Sequence, residues 1–309
     1  MPAAHGGRVL AFRFQRSESV PGGVRRLVRE RIDDARRRLQ ATGEARHEGI
    51  HEARKRIKEI RALLRLVRFA LGDRFAVENR WYRDTARGLS AARDAQAVVE
   101  SWDKLVAARG QELDAGLAQD TRERLLARRD DAAGVTDTAP VTATLEGLLA
   151  ARERIARWPL NGGGFAALSP GLERSYRQGR REMRLALAGG GVAAHHEWRK
   201  RVKDLWYHTR LLEPVWPALM VPRRQALKAL SDTLGDDHDL AVLDALLAAE
   251  PVLVGGGDGE AVHAAIARQQ SRLQAEAARL GTLLYAEKPG AYTRRLGVYW
   301  QVWRGEAAA

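Results

Sequence analysis

The residues best suited to chemistry are the basic side chains of two matching segments. The first, HEARKRIKEIRALLRL, starts at His51, and the second, HEWRKRVKDLWYHTRLL, starts at His196. Residues 51–68 include seven Lys and Arg residues but only two Glu residues. Like charges at this spacing disfavour a helix unless an anion offsets them. The pattern therefore indicates a surface that binds anions.

On a helical wheel, the basic residues of each segment share one face, and apolar residues such as Ile57 and Leu64 lie opposite. The predicted stripe is His51, Arg54, Lys55, Lys58, Arg61 and Arg65 in the first copy, and His196, Arg199, Lys200, Lys203, Tyr207 and Arg210 in the second. Second-rank candidates on other helices are Arg29, Arg36, Arg83, Arg174, Arg181 and Lys228. The alternative is a solvated face whose cations pair with nearby acids, but the charge excess favours anion binding.

The spacing of these cations favours one class of anion. Successive cations lie about 4–6 Å apart, from a rise of about 1.5 Å per residue. Polyphosphate has a charge on every phosphorus and no bases, whereas single-stranded nucleic acid also calls for exposed aromatic residues. Only Trp206 and Tyr207 provide aromatic rings on the stripes. We therefore predict inorganic polyphosphate as the partner, with RNA or DNA as the alternative.

The histidines allow two interpretations. One His from each copy could meet and bind a metal ion, but no second ligand follows at a helical spacing. Alternatively, each imidazole donates a hydrogen bond to phosphate, and its pKa rises beside the anion. We favour phosphate, so we predict no metal and no cofactor. His195 is expected at the rim of the site.

Two Asp motifs follow the basic segments, LSAARDAQAVV with Asp94 and LSDTLGDDHDLAVL with Asp239. The second resembles a metal cluster, but the first has Arg93 where the second has His238. We therefore predict a structural role, in which Asp94 and Asp239 cap a helix or hold arginines of the neighbouring basic helix.

The basic segments and Asp motifs are part of a longer repeat. His51 and His196 are 145 residues apart, and this offset holds over some 70 residues. We predict an N-terminal segment at 1–17 and two halves, at about 18–158 and 165–304, related by an approximate two-fold. Apolar periodicity predicts helices at about 22–41, 46–71, 76–88, 91–109, 141–157, 171–188, 193–213, 222–234, 238–249 and 260–286. Only Arg8–Phe14 alternates like a strand.

These elements predict an all-α fold, in which two pseudo-symmetric antiparallel helical bundles form a basic central groove or pore. The 309 residues are 45% hydrophobic and have a net charge of +13, which attracts polyanions. There is no apolar run of membrane-spanning length and no secretory leader. The absence of cysteine excludes disulfides and thiolate sites. We expect a cytoplasmic protein without membrane contact, and the oligomeric state is not encoded visibly.

The paired motifs resemble those of the CHAD family, the histidine-containing α-helical domains, over essentially residues 18–304. The resemblance implies two similar bundles around a basic groove or pore, polyphosphate binding, and association with bacterial polyphosphate granules. It also implies that His51, Arg54, Lys58, His196, Arg199 and Lys203 line the anion site. Trp206 stands where the first copy has Arg61, and this departure would make the two halves bind the anion with unequal strength.

We therefore predict a binding protein that is not an enzyme. Some members of the family are fused to a CYTH triphosphate-hydrolysing barrel, for which this chain has no room. A metal-dependent phosphohydrolase is an alternative, but it needs converging carboxylates for Mg²⁺. A nucleic-acid-binding protein is the other alternative.

Overall fold

The chain folds into α-helices joined by short connections. The computed structural model describes residues 11–43, 45–89, 94–133, 139–254 and 259–305. Within these ranges there are twelve α-helices and no strand, which confirms the predicted all-α class. The helices are α1 Val20–Leu39, α2 Ala45–Leu66, α3 Arg68–Leu71, α4 Arg74–Gly88, α5 Asp94–Arg109, α6 Ala115–Ala133, α7 Ala139–Arg154, α8 Ser169–Leu187, α9 Gly191–Leu212, α10 Pro217–Ala249, α11 Gly259–Leu284 and α12 Pro289–Arg304. Short 3₁₀ turns lie at Gly110–Glu112, Ile155–Arg157, Gly164–Ala167, Glu213–Val215 and Pro251–Val254.

Local sequence explains where α1 begins and which face it buries. The Ser19 side chain accepts a hydrogen bond of 3.2 Å from the backbone N–H of Gly22, and a proline occupies the first turn. Leu27 and Ile32 are fully buried on its apolar face. The last turn is basic, which complements the negative end of the helix dipole. Through its apolar face, helix α1 packs along α2, the helix that contains the first basic segment.

Two hydrophobic cores hold the molecule together. The larger one includes apolar side chains of α1, α2, α8, α9 and α12, and the smaller one those of α5, α6 and α11. Helix α10 contributes to both, with Leu227 and Leu234 in the larger core and Leu240 and Leu247 in the smaller. Each core therefore draws on both halves of the sequence. The boundary between the halves stays a prediction.

The structure corrects several predicted elements. The strand at Arg8–Phe14 is wrong where it is described, because residues 11–14 have no strand partner and instead bury Phe12 and Phe14. Residues 8–10 lie outside the described part. The helices predicted at 222–234 and 238–249 are one continuous helix, α10, because burial on both sides of Gly235 outweighs its low helix propensity. Helices α6 and α12 were not predicted.

The helices described here include none that combines the length and apolar character needed to cross a bilayer.

Candidate anion-binding site

The two basic segments form α2 and α9, which cross near their C-terminal ends. Arg65 donates a hydrogen bond of 2.8 Å from Nη1 to Asp204 Oδ1. Arg210 donates one of 2.8 Å from Nη1 to Glu59 Oε1. Along α2 the residue number rises while that of the partner on α9 falls. The two helices therefore run antiparallel where they cross.

These contacts repeat at the offset of 145 residues. Arg65 corresponds to Arg210, and Glu59 corresponds to Asp204. The two ion pairs across the crossing are therefore equivalent contacts made in both directions. Next to the crossing, the buried Glu59 carboxylate also accepts hydrogen bonds from Arg56 at 2.9 Å and from Arg31 at 3.3 Å. The sequence repeat is thus matched by repeated contacts in the structure.

The crossing separates the two histidines of the motifs. At its centre, His208 Nε2 lies 2.8 Å from the carbonyl oxygen of Ala62. His51 and His196 each precede this centre by 11 or 12 residues, which is about 17 Å of helix. Because the helices are antiparallel there, the two histidines lie on opposite sides of the crossing. Within the described ranges, no group of three or more His, Cys, Asp or Glu side chains could hold a metal ion.

His196 is held neutral by its surroundings. Its ring centroid lies 4.1 Å from that of His238 on α10, and its Nδ1 atom is buried without a hydrogen-bond partner. Burial, His238, Lys200 and Arg199 lower the pKa of His196 to about 4, and only Glu197 opposes them. An anion placed here would favour the protonated ring. The neighbouring His238 was not predicted as part of the site.

Two equivalent arginines point towards the segments that connect the cores. Arg54 donates from Nη1 to the carbonyl oxygen of Leu89 at 3.4 Å, at the end of α4. Arg199 Nη1 lies 3.8 Å from Asp239 Oδ1 on α10. Asp239 lies in the middle of α10, so its predicted role as a helix cap is wrong, although it does face an arginine of the basic helix. Asp94 is the first residue of α5, and its side chain lies outside the described residues.

The remaining stripe residues differ in exposure. Lys58 and Lys203 are half-buried, like His51. Lys55 and Lys200 form equivalent ion pairs of 2.5 and 2.6 Å with the glutamate three residues before each of them. These pairs leave both lysines near half-exposed, within reach of a bound anion.

Tyr207 is corrected by the structure. It is only 7% exposed and meets the ring of Phe12 edge-on at 6.3 Å, so it belongs to the core and not to a binding surface. Burial raises the pKa of the Tyr207 phenol. The helical wheel placed it on the stripe because a wheel does not include the segment before α1, whose Phe12 ring packs against this position. His195, predicted at the rim, is likewise buried, and its Nδ1 lies 3.0 Å from the carbonyl oxygen of Gly191.

Arginines are crowded beside the crossing. Arg61 Nε donates to Asn79 Oδ1 at 3.4 Å. Burial and the repulsion of nearby arginines, chiefly Arg65, lower the pKa of Arg61 to about 10. Next to Arg65 lies a cavity of about 250 Å³, which we call the arginine cavity. Its walls include Arg65, Arg68, Arg174 and Arg201.

The second-rank candidates fall into three groups. Arg174 shares the arginine cavity with the stripe residue Arg65. Three others are exposed and form ion pairs with an acid nearby in sequence: Arg83 with Asp84, Arg181 with Glu182, and Lys228 with Asp232. Arg29 and Arg36 are half-buried on α1. Two arginines of the cavity, Arg68 and Arg201, were not predicted as site residues, because Arg201 lies off the stripe on the wheel and Arg68 follows the end of α2.

Comparison with known protein families gives a match. The profile of the family described as CHAD domain matches residues 26–248, which is more than half of the chain. The matched range contains α2 and α9 complete. No curated protein matches the sequence.

Proposed function

Because this chain belongs to the CHAD domain family, we propose that it binds inorganic polyphosphate along the basic stripes of α2 and α9, without catalysis. The observation that carries the proposal is the charge imbalance of these helices. Glu52 pairs with the stripe residue Lys55, and Glu59 pairs with the stripe residue Arg210. Both acids are also bonded to Arg56, which lies off the stripe and takes part of their charge. The cations of the stripe therefore outnumber the carboxylates beside them, and a polyanion would offset the excess.

The aromatic side chains favour polyphosphate over nucleic acid. A strand of RNA or DNA usually stacks its bases on exposed rings. Tyr207 is buried, and the half-buried Trp206 ring already has the guanidinium of Arg210 above it, 5.2 Å from its centroid. Little aromatic surface is left for bases on the stripes, whereas charged groups at helical spacing suit a chain of phosphates.

The test neutralises the half-buried stripe residues. A variant with Arg54, Lys58, Arg199 and Lys203 all changed to Gln should lose affinity for long-chain polyphosphate on the order of a hundredfold at 0.1 M salt. The matched control changes Arg37, Arg122, Arg177 and Arg279 to Gln, which removes the same charge from exposed sites on four other helices. Circular dichroism checks that both variants keep their helices. Equal affinities for the two variants would refute the proposed surface.

The non-catalytic part of the proposal has its own test. A metal-dependent phosphohydrolase would release orthophosphate from polyphosphate in the presence of Mg²⁺ or Mn²⁺. We expect binding without release, and steady release by the pure protein would refute this part. We also propose that binding recruits the protein to polyphosphate granules. A fluorescent fusion should accumulate on granules, and the four-residue stripe variant should not.

A further inference from the structure

The arginine cavity is a compact cationic compartment beside the helix crossing. Its volume is about 250 Å³, and its walls come from α2, α3, α4, α8 and α9. Besides the four arginines, the side chains of Asn79 and Gln178 face it, and its lining as described contains no Asp or Glu. The cavity therefore presents N–H donors from several helices to one shared volume.

The arginines around the cavity outnumber the carboxylates that pair with them. The Asp204 carboxylate is shared, because Oδ1 accepts from Arg65 at 2.8 Å and Oδ2 from Arg201 at 3.3 Å. Arg68 and Arg174 have no acidic partner within the described ranges. The Arg68 guanidinium is instead held 4.5 Å from the centroid of the Phe75 ring. One further carboxylate, Glu197, lies 3.9 Å from Arg201 but is bonded to Lys200 at 2.6 Å. Four arginines thus have two carboxylates beside them, and one of these also serves a lysine.

The position that the 145-residue offset relates to the cavity is built differently. At the offset of 145 residues, the cavity residues Arg68, Ser175 and Gln178 correspond to Glu213, Glu30 and Asp33. The remaining arginines Arg65, Arg174 and Arg201 correspond to Arg210, Arg29 and Arg56. Both positions thus have arginines, but only one has acids.

Those acids neutralise arginines on their own side. Glu30 binds Arg26 at 3.1 Å, and Asp33 binds Arg152 at 2.9 Å. Glu213 binds Arg224. The equivalent position supplies its own carboxylates, whereas the arginine cavity, whose walls come from both halves of the sequence, has arginines in excess of its acids. The missing negative charge is the feature that an external anion would provide.

We propose that the arginine cavity binds one terminal phosphate group at a site that shares only Arg65 with the stripes, and that the described residues form one such site. Guanidinium groups bind phosphate oxygens through paired N–H donors, and the amides of Asn79 and Gln178 can add further hydrogen bonds. A terminal phosphate has up to two negative charges, whereas an interior phosphate of a chain has one. The group is supplied by free orthophosphate or by the end of a polyphosphate chain. Only the chain-end source rests on the function proposed above.

Calorimetric titration with orthophosphate, at constant ionic strength set by chloride, tests the site directly. The wild-type protein should bind one phosphate, and the double variant Arg68→Gln, Arg174→Gln should bind it at least tenfold more weakly, about 1.4 kcal/mol per tenfold. The control is Arg177→Gln, because Arg177 lies on α8 near Arg174 but is exposed and paired with Glu173. Absence of saturable binding, or binding that survives the double variant, would overturn the proposal.

A second variant guards against a folding defect. Gln178→Asp gives the cavity the carboxylate that the other half has at Asp33. It should weaken phosphate binding while keeping or raising the melting temperature in phosphate-free buffer, because the new carboxylate offsets the arginines. Unchanged phosphate affinity in this folded variant would also overturn the site.

The source of the phosphate is resolved with chains of one length whose ends are either free or capped as phosphoramidates. If the cavity takes chain ends, free-ended chains should bind the wild-type protein more tightly than capped chains, and the double variant should bind both equally. If capping has no effect while orthophosphate still binds, free orthophosphate is the ligand. The four-residue stripe variant should keep orthophosphate binding, so failure of the stripes and failure of the cavity are separable.

Discussion

At the scale of single residues, Glu59 is the centre of the contact between the two basic helices. This buried carboxylate accepts from Arg31, Arg56 and Arg210, which come from α1, α2 and α9. Removing one partner of a buried ion pair leaves the other charges without compensation. Glu59 is therefore a residue that secures the fold and orients both stripes.

We expect Glu59→Gln to lower the free energy of unfolding by roughly 3–5 kcal/mol, because three arginines lose a buried carboxylate. Urea denaturation followed by circular dichroism measures this. The control is Glu276→Gln, an exposed acid bound to Arg279, which should change stability by less than about 0.5 kcal/mol. Equal, small effects of the two changes would contradict the central role of Glu59.

His196 gives a prediction of pH dependence. Its pKa is about 4 in the folded protein, against 6.5 for an ordinary histidine, so the unfolded chain binds more protons between these values. This residue therefore makes the free protein less stable as the pH falls from about 6.5 to about 4. A bound polyanion raises the pKa again, so affinity for polyphosphate should increase as the pH is lowered from 7 to 5.

The matched measurement compares His196→Gln with His263→Gln, since His263 on α11 pairs with Asp244 away from the basic helices. Fluorescence titrations at pH 7, 6 and 5 should show a smaller pH effect in the first variant and the wild-type effect in the second. The side chains facing His196 are His238, Arg199, Lys200 and Glu197. A pH effect that is the same in both variants would assign it to another group.

At the scale of helices, sequence periodicity predicted most elements because the apolar face of each helix is buried. The core faces of α2 and α9 were predicted correctly, as Ile57, Leu64 and Val202 show. The periodicity of one helix contains no information about which other helix crosses it. The joining of Arg201 and Arg174 around one cavity was missed for this reason. The burial of Tyr207 was missed because periodicity does not report the segment before α1, whose Phe12 packs against it.

Close helix contacts also reverse an ordinary expectation about glycine. Replacing Gly by Ala inside a helix usually stabilises it by up to about 1 kcal/mol. At Gly171 on α8, a Cβ atom would lie 1.9 Å from the backbone carbonyl oxygen of Leu66 on α2. The close approach of α8 to α2, which helps to form the arginine cavity, therefore requires glycine at this position.

We expect Gly171→Ala to destabilise the protein by roughly 1–3 kcal/mol through overpacking. Gly88→Ala, near the end of α4, has nothing within 4 Å of the new Cβ and should be neutral or stabilising by a few tenths of a kcal/mol. Thermal unfolding of the two variants checks the difference in sign. A stable Gly171→Ala protein would show that α8 can move away from α2 at little cost.

At the scale of the whole molecule, the repeat predicted equivalent contacts but not how the halves share their cores. Leu234 and Leu240 lie on one helix, α10, yet they belong to different cores. In the first half, the corresponding segment is divided between α4 and α5. A sequence repeat predicts that equivalent residues make equivalent contacts. How the two halves share a core depends on packing between helices that are distant in sequence, and no local pattern contains that information.

The net charge of +13 leads to a prediction about selectivity between polyphosphate and DNA. This field attracts any polyanion, so both polyphosphate and single-stranded DNA should bind more weakly as salt increases. They should differ in slope, because only polyphosphate fits the dense cations of the stripes. For polyphosphate, changing Arg54, Lys58, Arg199 and Lys203 to Gln should lower the slope of log affinity against log salt by about 3–4, close to one for each lost phosphate contact. For DNA the same change should lower the slope by about one or less. Titrations between 0.05 and about 0.3 M salt, at equal phosphate concentration, measure both slopes. Equal losses for the two polymers would mean that the stripes act as a general basic surface, with no preference for the phosphate chain.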